Sequence, residues 1–117
     1  MNPLSLYLHI PFCRHRCAYC DFNTYTSLGE LRSEYAQALC REIKQVGRLA
    51  DEAREKRPLH TIFFGGGTPS LMAIKDLELI LQTAAQSFGI TADAEITLEA
   101  NPDTVDAAYL VGLRDIG

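Results

Sequence analysis

Three times in 117 residues an extended segment gives way to a helical one, and each extended segment ends in a loop of unusual chemistry. The first, Leu4 to Ile10, alternates strictly. Leu4, Leu6, Leu8 and Ile10 share one face and Ser5, Tyr7 and His9 the other, the period of a half-buried strand. The second is Thr61-Ile62-Phe63-Phe64, stopped by Gly65-Gly66-Gly67. The third, Glu95 to Glu99, sets Ile96 and Leu98 against Glu95, Thr97 and Glu99. A first helix is predicted from about Glu30 to Lys56. Its stripe is Leu31, Tyr35, Ala38, Leu39, Val46, Leu49 and Ala53, with Ser27 and Glu30 as a capping box and Pro58 as the stop. A second helix runs from Ile74 to Phe88, with Ile74, Leu77, Ile80, Leu81, Ala84 and Phe88 inward. A third begins near Thr104, read as its N-cap, and carries Val105, Ala108, Leu110 and Leu113.

Strand and helix in strict alternation imply an α/β fold with parallel pairing. In an open sheet covered on both faces, central strands read as continuous apolar runs. Here one face carries Ser5, Tyr7, His9, Thr97 and Glu99. A barrel accounts for this, with its apolar face against helices and its mixed face lining the interior. Chemistry in such barrels sits on the loops that follow the strands.

Composition narrows the class. Hydrophobic residues are 47% and charged residues 22%, which excludes a disordered tail or a fibre. The net charge is −4 and no basic stripe stands out, so the footprint of a nucleic-acid binder is missing. No apolar run approaches the ~20 residues of a membrane span. The first residues, Met1-Asn2-Pro3-Leu4, do not read as a signal peptide. The expected compartment is the cytosol, where thiols stay reduced. The four cysteines are then ligands or reactive thiols rather than disulfides.

Three of them, Cys13, Cys17 and Cys20, form a CxxxCxxC loop directly after the first strand. Thiolates on one tight loop favour an iron–sulfur cluster, Zn²⁺ or Cu(I). A four-site cubane cluster held by three cysteines keeps one iron open to an exogenous ligand. A Cys3His zinc site using His9 or His15 is the competing ligand set, and incidental cysteines are the bland one. Arg14, His15 and Arg16 would lower the thiol pKa values. Cys40, mid-helix, reads as a small packing residue.

The second loop, Gly65 to Ser70, is neither a Walker A nor a GxGxxG sequence. Successive glycines let backbone come close to a ligand, with N–H and C=O groups expected to be available to it. A tight strand-to-helix turn needs glycine as well. Glu99 ends the third strand on the less apolar face. It is either a hydrogen-bond acceptor for an amine or ribose, or a solvated strand-end acid. Tyr7 and His9 point to the same end.

Tyr7-Leu8-His9-Ile10-Pro11-Phe12-Cys13, CxxxCxxC, Gly65-Gly66-Gly67-Thr68-Pro69-Ser70 and Leu98-Glu99-Ala100-Asn101-Pro102, in this order, resemble the radical SAM superfamily. Within it they resemble the group holding oxygen-independent coproporphyrinogen III oxidases and HemW-type haem chaperones. The resemblance spans essentially the whole chain. It implies that Cys13, Cys17 and Cys20 hold a [4Fe–4S] cluster whose fourth iron takes S-adenosylmethionine. The reduced cluster then cleaves that cofactor to a 5′-deoxyadenosyl radical. It further implies that Gly66, Gly67 and Thr68 contact the methionyl part, that Glu99 hydrogen-bonds the cofactor, that Tyr7 lines the pocket and that Tyr19 packs near the adenine.

Two features select within the group. The oxidases carry a further cysteine two after the third, where this chain has Phe22, and a longer N-terminal arm. Both point to the HemW-like members, which bind haem and pass it to an acceptor protein. Coproporphyrinogen III oxidase, a zinc module and an inactive truncated product are the alternatives. The resemblance also implies a (β/α)6 partial barrel, of which residues 1–117 supply three βα units. The chain is therefore expected to be the N-terminal part of a longer core domain. Its open strand edge is then an aggregation liability.

Overall fold

The computed structural model describes residues 2–13 and 31–117. The expected capping box at Ser27 and Glu30 lies outside them. Strands β1 (Leu4–Ile10), β2 (Leu59–Gly66) and β3 (Ile90–Leu98) form a parallel sheet in the order β1-β2-β3. Helices α1 (Arg32–Glu52), α2 (Ile74–Phe88) and α3 (Ala107–Asp115) follow the three strands in turn.

The strand alternation does what it predicts. Leu8, Ile10, Ile62 and Phe64 are buried against Ile43 of α1 and Leu77 and Ile80 of α2 in one apolar cluster. The opposite face carries three cross-strand rows set by the register. Ser5, Thr61 and Glu95 form the first row and Tyr7, Phe63 and Thr97 the second. In the third, His9 pairs with Gly65, and Glu99 lies just beyond the Phe64–Leu98 pair. Tyr7 is 57% and Phe63 38% exposed on this bare face.

β2 runs beyond the expected Thr61–Phe64, since Gly65 and Gly66 pair with His9 and Ile10 instead of stopping the strand. Four further expectations are corrected. The buried face of α1 is Ala36, Leu39, Cys40, Ile43 and Gly47, whereas Val46 and Leu49 are exposed. The small residues of that face let the helices come close. A side chain on Gly47 would lie 3.0 Å from Ser87 Cβ on α2. Next, α1 stops at Glu52, not Lys56. Arg54 takes the left-handed conformation at φ 58°. Glu55 N donates to Ala50 O (2.8 Å) and Arg54 N to Asp51 O (3.0 Å), the Schellman pattern that closes a helix. Third, β3 starts at Ile90, five residues early. Between the Leu59–Ile90 and Thr61–Glu95 pairs the register shifts, so residues 91–94 show no strand period. Fourth, Thr104 belongs to a short turn over Pro102–Thr104. The N-cap of α3 is Asp106, whose Oδ1 accepts from Tyr109 N at 2.8 Å. On α3 it is Tyr109, Leu113 and Ile116 that pack on the core, while Leu110 and Val111 are exposed.

Among the described residues, no helix is long and apolar enough to cross a membrane.

Candidate cofactor site

Parallel pairing brings the loops after β1, β2 and β3 to one end of the sheet. The β1–β2 ladder continues past the strand ends. Gly67 N donates to Ile10 O and Thr68 N to Phe12 O, both at 2.7 Å. This draws the cysteine loop onto the glycine loop. Cys13, the described thiol of the three, is buried, and its Sγ lies 3.9 Å from the Thr68 hydroxyl. Cys17, Cys20 and Tyr19 lie outside the described residues.

The close approach explains the glycines. A Cβ on Gly67 would sit 2.5 Å from Phe12 O and 3.0 Å from Cys13 Sγ. Gly66, at φ 111°, packs under the His9 ring, 2.8 Å from where its Cβ would be. Gly65 faces the bare side, where a Cβ would meet Phe63 Cε1 at 2.6 Å and Glu99 Oε1 at 2.9 Å. Its missing side chain lets the Glu99 carboxylate fold across, so that Glu99 Oε1 accepts from Gly66 N at 3.2 Å. The strand itself aims Glu99, since Glu99 N donates to Phe64 O at 3.0 Å.

One expectation changes here. The N–H groups of Gly66, Gly67 and Thr68 are all engaged within the chain. The loop therefore presents acceptors, not a nest of donors. A donor group such as an amine suits it better than a phosphate, which needs N–H groups.

Tyr7 lies where its parity placed it. Its hydroxyl is 3.0 Å from His9 Nδ1 and its ring stacks on Phe63, with centroids 5.9 Å apart and 17° between planes. Two supports escape sequence reading. Tyr35 of α1 donates to His9 O at 2.6 Å and meets Phe12 edge-on at 5.5 Å, pinning the residues that lead into Cys13. Burial, then the charges of Glu42 and Tyr7, raises the Tyr35 pKa and keeps it the neutral donor. The second support is Ser70, which is buried between the glycine loop and the turn after Glu99. The only sequence signal for Tyr35 was helical phase, and for Ser70 its place in the glycine-loop motif.

A family model for the radical SAM superfamily matches residues 7–117. The chain belongs to the radical SAM superfamily. Membership implies a [4Fe–4S] cluster and S-adenosylmethionine. The described residues fit these groups in three respects: a buried thiol against the Gly67–Thr68 end of the glycine loop, a carboxylate against its Gly65–Gly66 end, and a glycine cradle whose backbone donors are engaged. Among the described residues alone, no three metal-ligating side chains converge.

The haem chaperone HemW of Synechocystis is 46% identical, covering 100% of this chain and 28% of its own length. The oxygen-independent coproporphyrinogen III oxidase of the same organism is 37% identical, over 99% of this chain and 24% of that one. Among solved structures, the coproporphyrinogen III oxidase HemN of Escherichia coli, a radical SAM enzyme, superposes with a TM-score of 0.86 at 32% identity. That match covers 98% of this chain and 26% of HemN. The three parallel strands and their helices match the N-terminal part of that fold. The chain spans less than a third of the length of these relatives.

Proposed function

We propose that this chain forms the cluster and S-adenosylmethionine site of a HemW-like haem chaperone of the cytosol. The observation that carries the reading is the convergence of Cys13, the Gly66–Thr68 loop and Glu99 at one end of the parallel sheet. Cys13, Cys17 and Cys20 hold the cluster. Gly66, Gly67 and Thr68 offer acceptors to the amino end of the cofactor, and Glu99 accepts from it once its contact to Gly66 N yields. Tyr7 closes the bare side of the pocket, and Tyr19 lies against the adenine. When bound, the pair of groups supplies one-electron chemistry, and the chain's part is to bind, orient and exclude water. Haem, a haem-acceptor protein and a reductant are partners of the whole protein. This chain makes up the first three βα units of its core.

The preference for chaperone over oxidase rests on Phe22, which stands where the oxidases carry a further cysteine, and on the 46% identity to HemW. The oxidase reading, radical decarboxylation of coproporphyrinogen propionates, is supported by the 0.86 match to HemN.

Anaerobic reconstitution of the full-length protein with iron and sulfide tests the site. A cluster absorbance that Cys17→Ser abolishes is the expected result. No absorbance, or one that Cys17→Ser leaves intact, sinks the proposal and favours zinc. Haem binding without coproporphyrinogen turnover is then expected, and measurable decarboxylation would select the oxidase.

A further inference from the structure

The loops after β2 and β3 are joined at a second place, away from the Gly66–Glu99 contact. Asn101 N donates to Ser70 Oγ at 3.3 Å, Ser70 Oγ pairs with Thr104 Oγ1, and Thr104 Oγ1 donates to Asn101 O at 2.7 Å. Each hydroxyl has one proton. Thr104 gives its proton to Asn101 O, so Ser70 must donate to Thr104 and accept from Asn101 N. The result is a closed ring in which every proton has one acceptor. Asn101 stiffens it further. Its Oδ1 accepts from Asp103 N at 3.0 Å, and its carbonyl also accepts from Thr104 N at 2.9 Å. Ser70 is 3% exposed, so water competes little for the two bonds its hydroxyl makes, whereas the Thr104–Asn101 side of the ring is exposed.

Ser70 lies two residues after Thr68, and Asn101 two after Glu99. From this we infer that Ser70 and Thr104 are positioning residues that fix the glycine loop relative to Glu99. The inference rests on the proposed S-adenosylmethionine reading and deepens it. The two links between these loops differ in kind. The Glu99 contact to Gly66 N uses an exposed carboxylate, which a ligand can draw away. The two Ser70 bonds that cross between the loops are part-buried and do not involve Glu99, so they can stay closed while Glu99 changes partners. The width of the site is therefore set by the ring rather than by the carboxylate.

Thr104→Val keeps the shape and deletes the hydroxyl, and Thr104→Ser keeps the hydroxyl. Two measurements on the full-length protein test the inference. The first, on anaerobically reconstituted protein, is equilibrium binding of S-adenosylmethionine alongside iron content. Thr104→Val is expected to load iron as the wild type does and bind the cofactor about tenfold more weakly. Thr104→Ser should stay within about threefold. The second is amide hydrogen exchange on metal-free protein, where Thr104→Val should speed exchange in residues 66–72 and 99–105 together. Wild-type affinity in Thr104→Val, equal damage in Thr104→Ser, or faster exchange in 99–105 alone overturns the inference. If the wild type loads a cluster but binds no S-adenosylmethionine, the cofactor reading fails. The exchange result then decides the link between the loops by itself.

Discussion

Gly67→Ala separates two reasons for a glycine in this loop. Gly67 has no left-handed φ, so alanine is conformationally admissible there. The obstacle is contact alone. The new Cβ would lie 2.5 Å from Phe12 O and 3.0 Å from Ile10 O, and ordinary contact starts near 3.4 Å. These two obstacles are backbone and cannot rotate away; the third, Cys13 Sγ at 3.0 Å, is a side chain that must shift as well. Relief requires the cysteine loop to retreat by about 0.9 Å. Added to the 2.7 Å bond from Thr68 N to Phe12 O, that reaches ~3.6 Å, past hydrogen-bond length. One bond is lost and the Gly67 N to Ile10 O bond is weakened, at about 0.5–1.5 kcal/mol each. The lower chain entropy of alanine returns about 0.4–1 kcal/mol. The net loss is then about 0–2.6 kcal/mol, with the displacement landing on Cys13. Gly89→Ala is the control. There φ is 84° and ψ 152°, a region essentially confined to glycine, and the nearest atom, Pro58 Cβ, is 3.8 Å away, so its cost of about 1–3 kcal/mol is conformational. Denaturant unfolding should show similar losses for the two. Alkylation of Cys13 in metal-free protein, followed peptide by peptide, should speed up in Gly67→Ala only, and cluster loading should fall in Gly67→Ala only. Wild-type Cys13 reactivity and full loading in Gly67→Ala would refute the reasoning.

Two further outcomes follow from the helices. Arg54 holds a left-handed position that glycine occupies without strain, so Arg54→Gly should raise stability by about 0.5–1 kcal/mol; a lower unfolding midpoint counts against the Schellman assignment. Tyr109 donates to Met72 O at 2.7 Å, and burial pushes its pKa from 10.0 up to about 12. Between pH 10 and 12 the unfolded chain loses this proton before the folded one, so the stabilisation is complete below pH 10 and fades towards pH 12. The stability gap between wild type and Tyr109→Phe should narrow over that window, and a constant gap would show that Tyr109 does not titrate with folding.

The elements that sequence made legible are those whose side chains keep one period throughout. β1 alternates without interruption, and α2 repeats large apolar residues at three and four between Ala73 and Gly89. Both have the bounds that their periods predict. The expected stripe of α1 shares Leu39 with the buried face, but three of that face's five residues, Ala36, Cys40 and Gly47, are small and leave little apolar signal. The exposed Val46 and Leu49 supplied a false stripe instead. The first half of β3 was illegible because its register shifts where Ala92 and Asp93 are exposed. Thr104 looked like an N-cap because it has the right chemistry in nearly the right place. Its hydroxyl instead bonds Asn101 O and Ser70, and Asp106 takes the cap.

At the candidate site the sequence does not disclose how the glycine loop is bonded. A run of three glycines after a strand invites the reading that backbone donors await a ligand. In the fold those donors are used up: Gly66 N by Glu99, Gly67 N by Ile10 and Thr68 N by Phe12. The absent side chains serve first to let three loops touch. What remains of the backbone at Gly66–Thr68 is its carbonyl oxygens, of which Thr68 O already accepts from Leu71 N at 3.0 Å. An anion placed there would face carbonyl oxygens and the Glu99 carboxylate, whereas a protonated amine would meet both favourably. The internal bonding of the glycine loop thus favours the cationic end of an amino-acid ligand, a distinction that the glycine run alone does not contain.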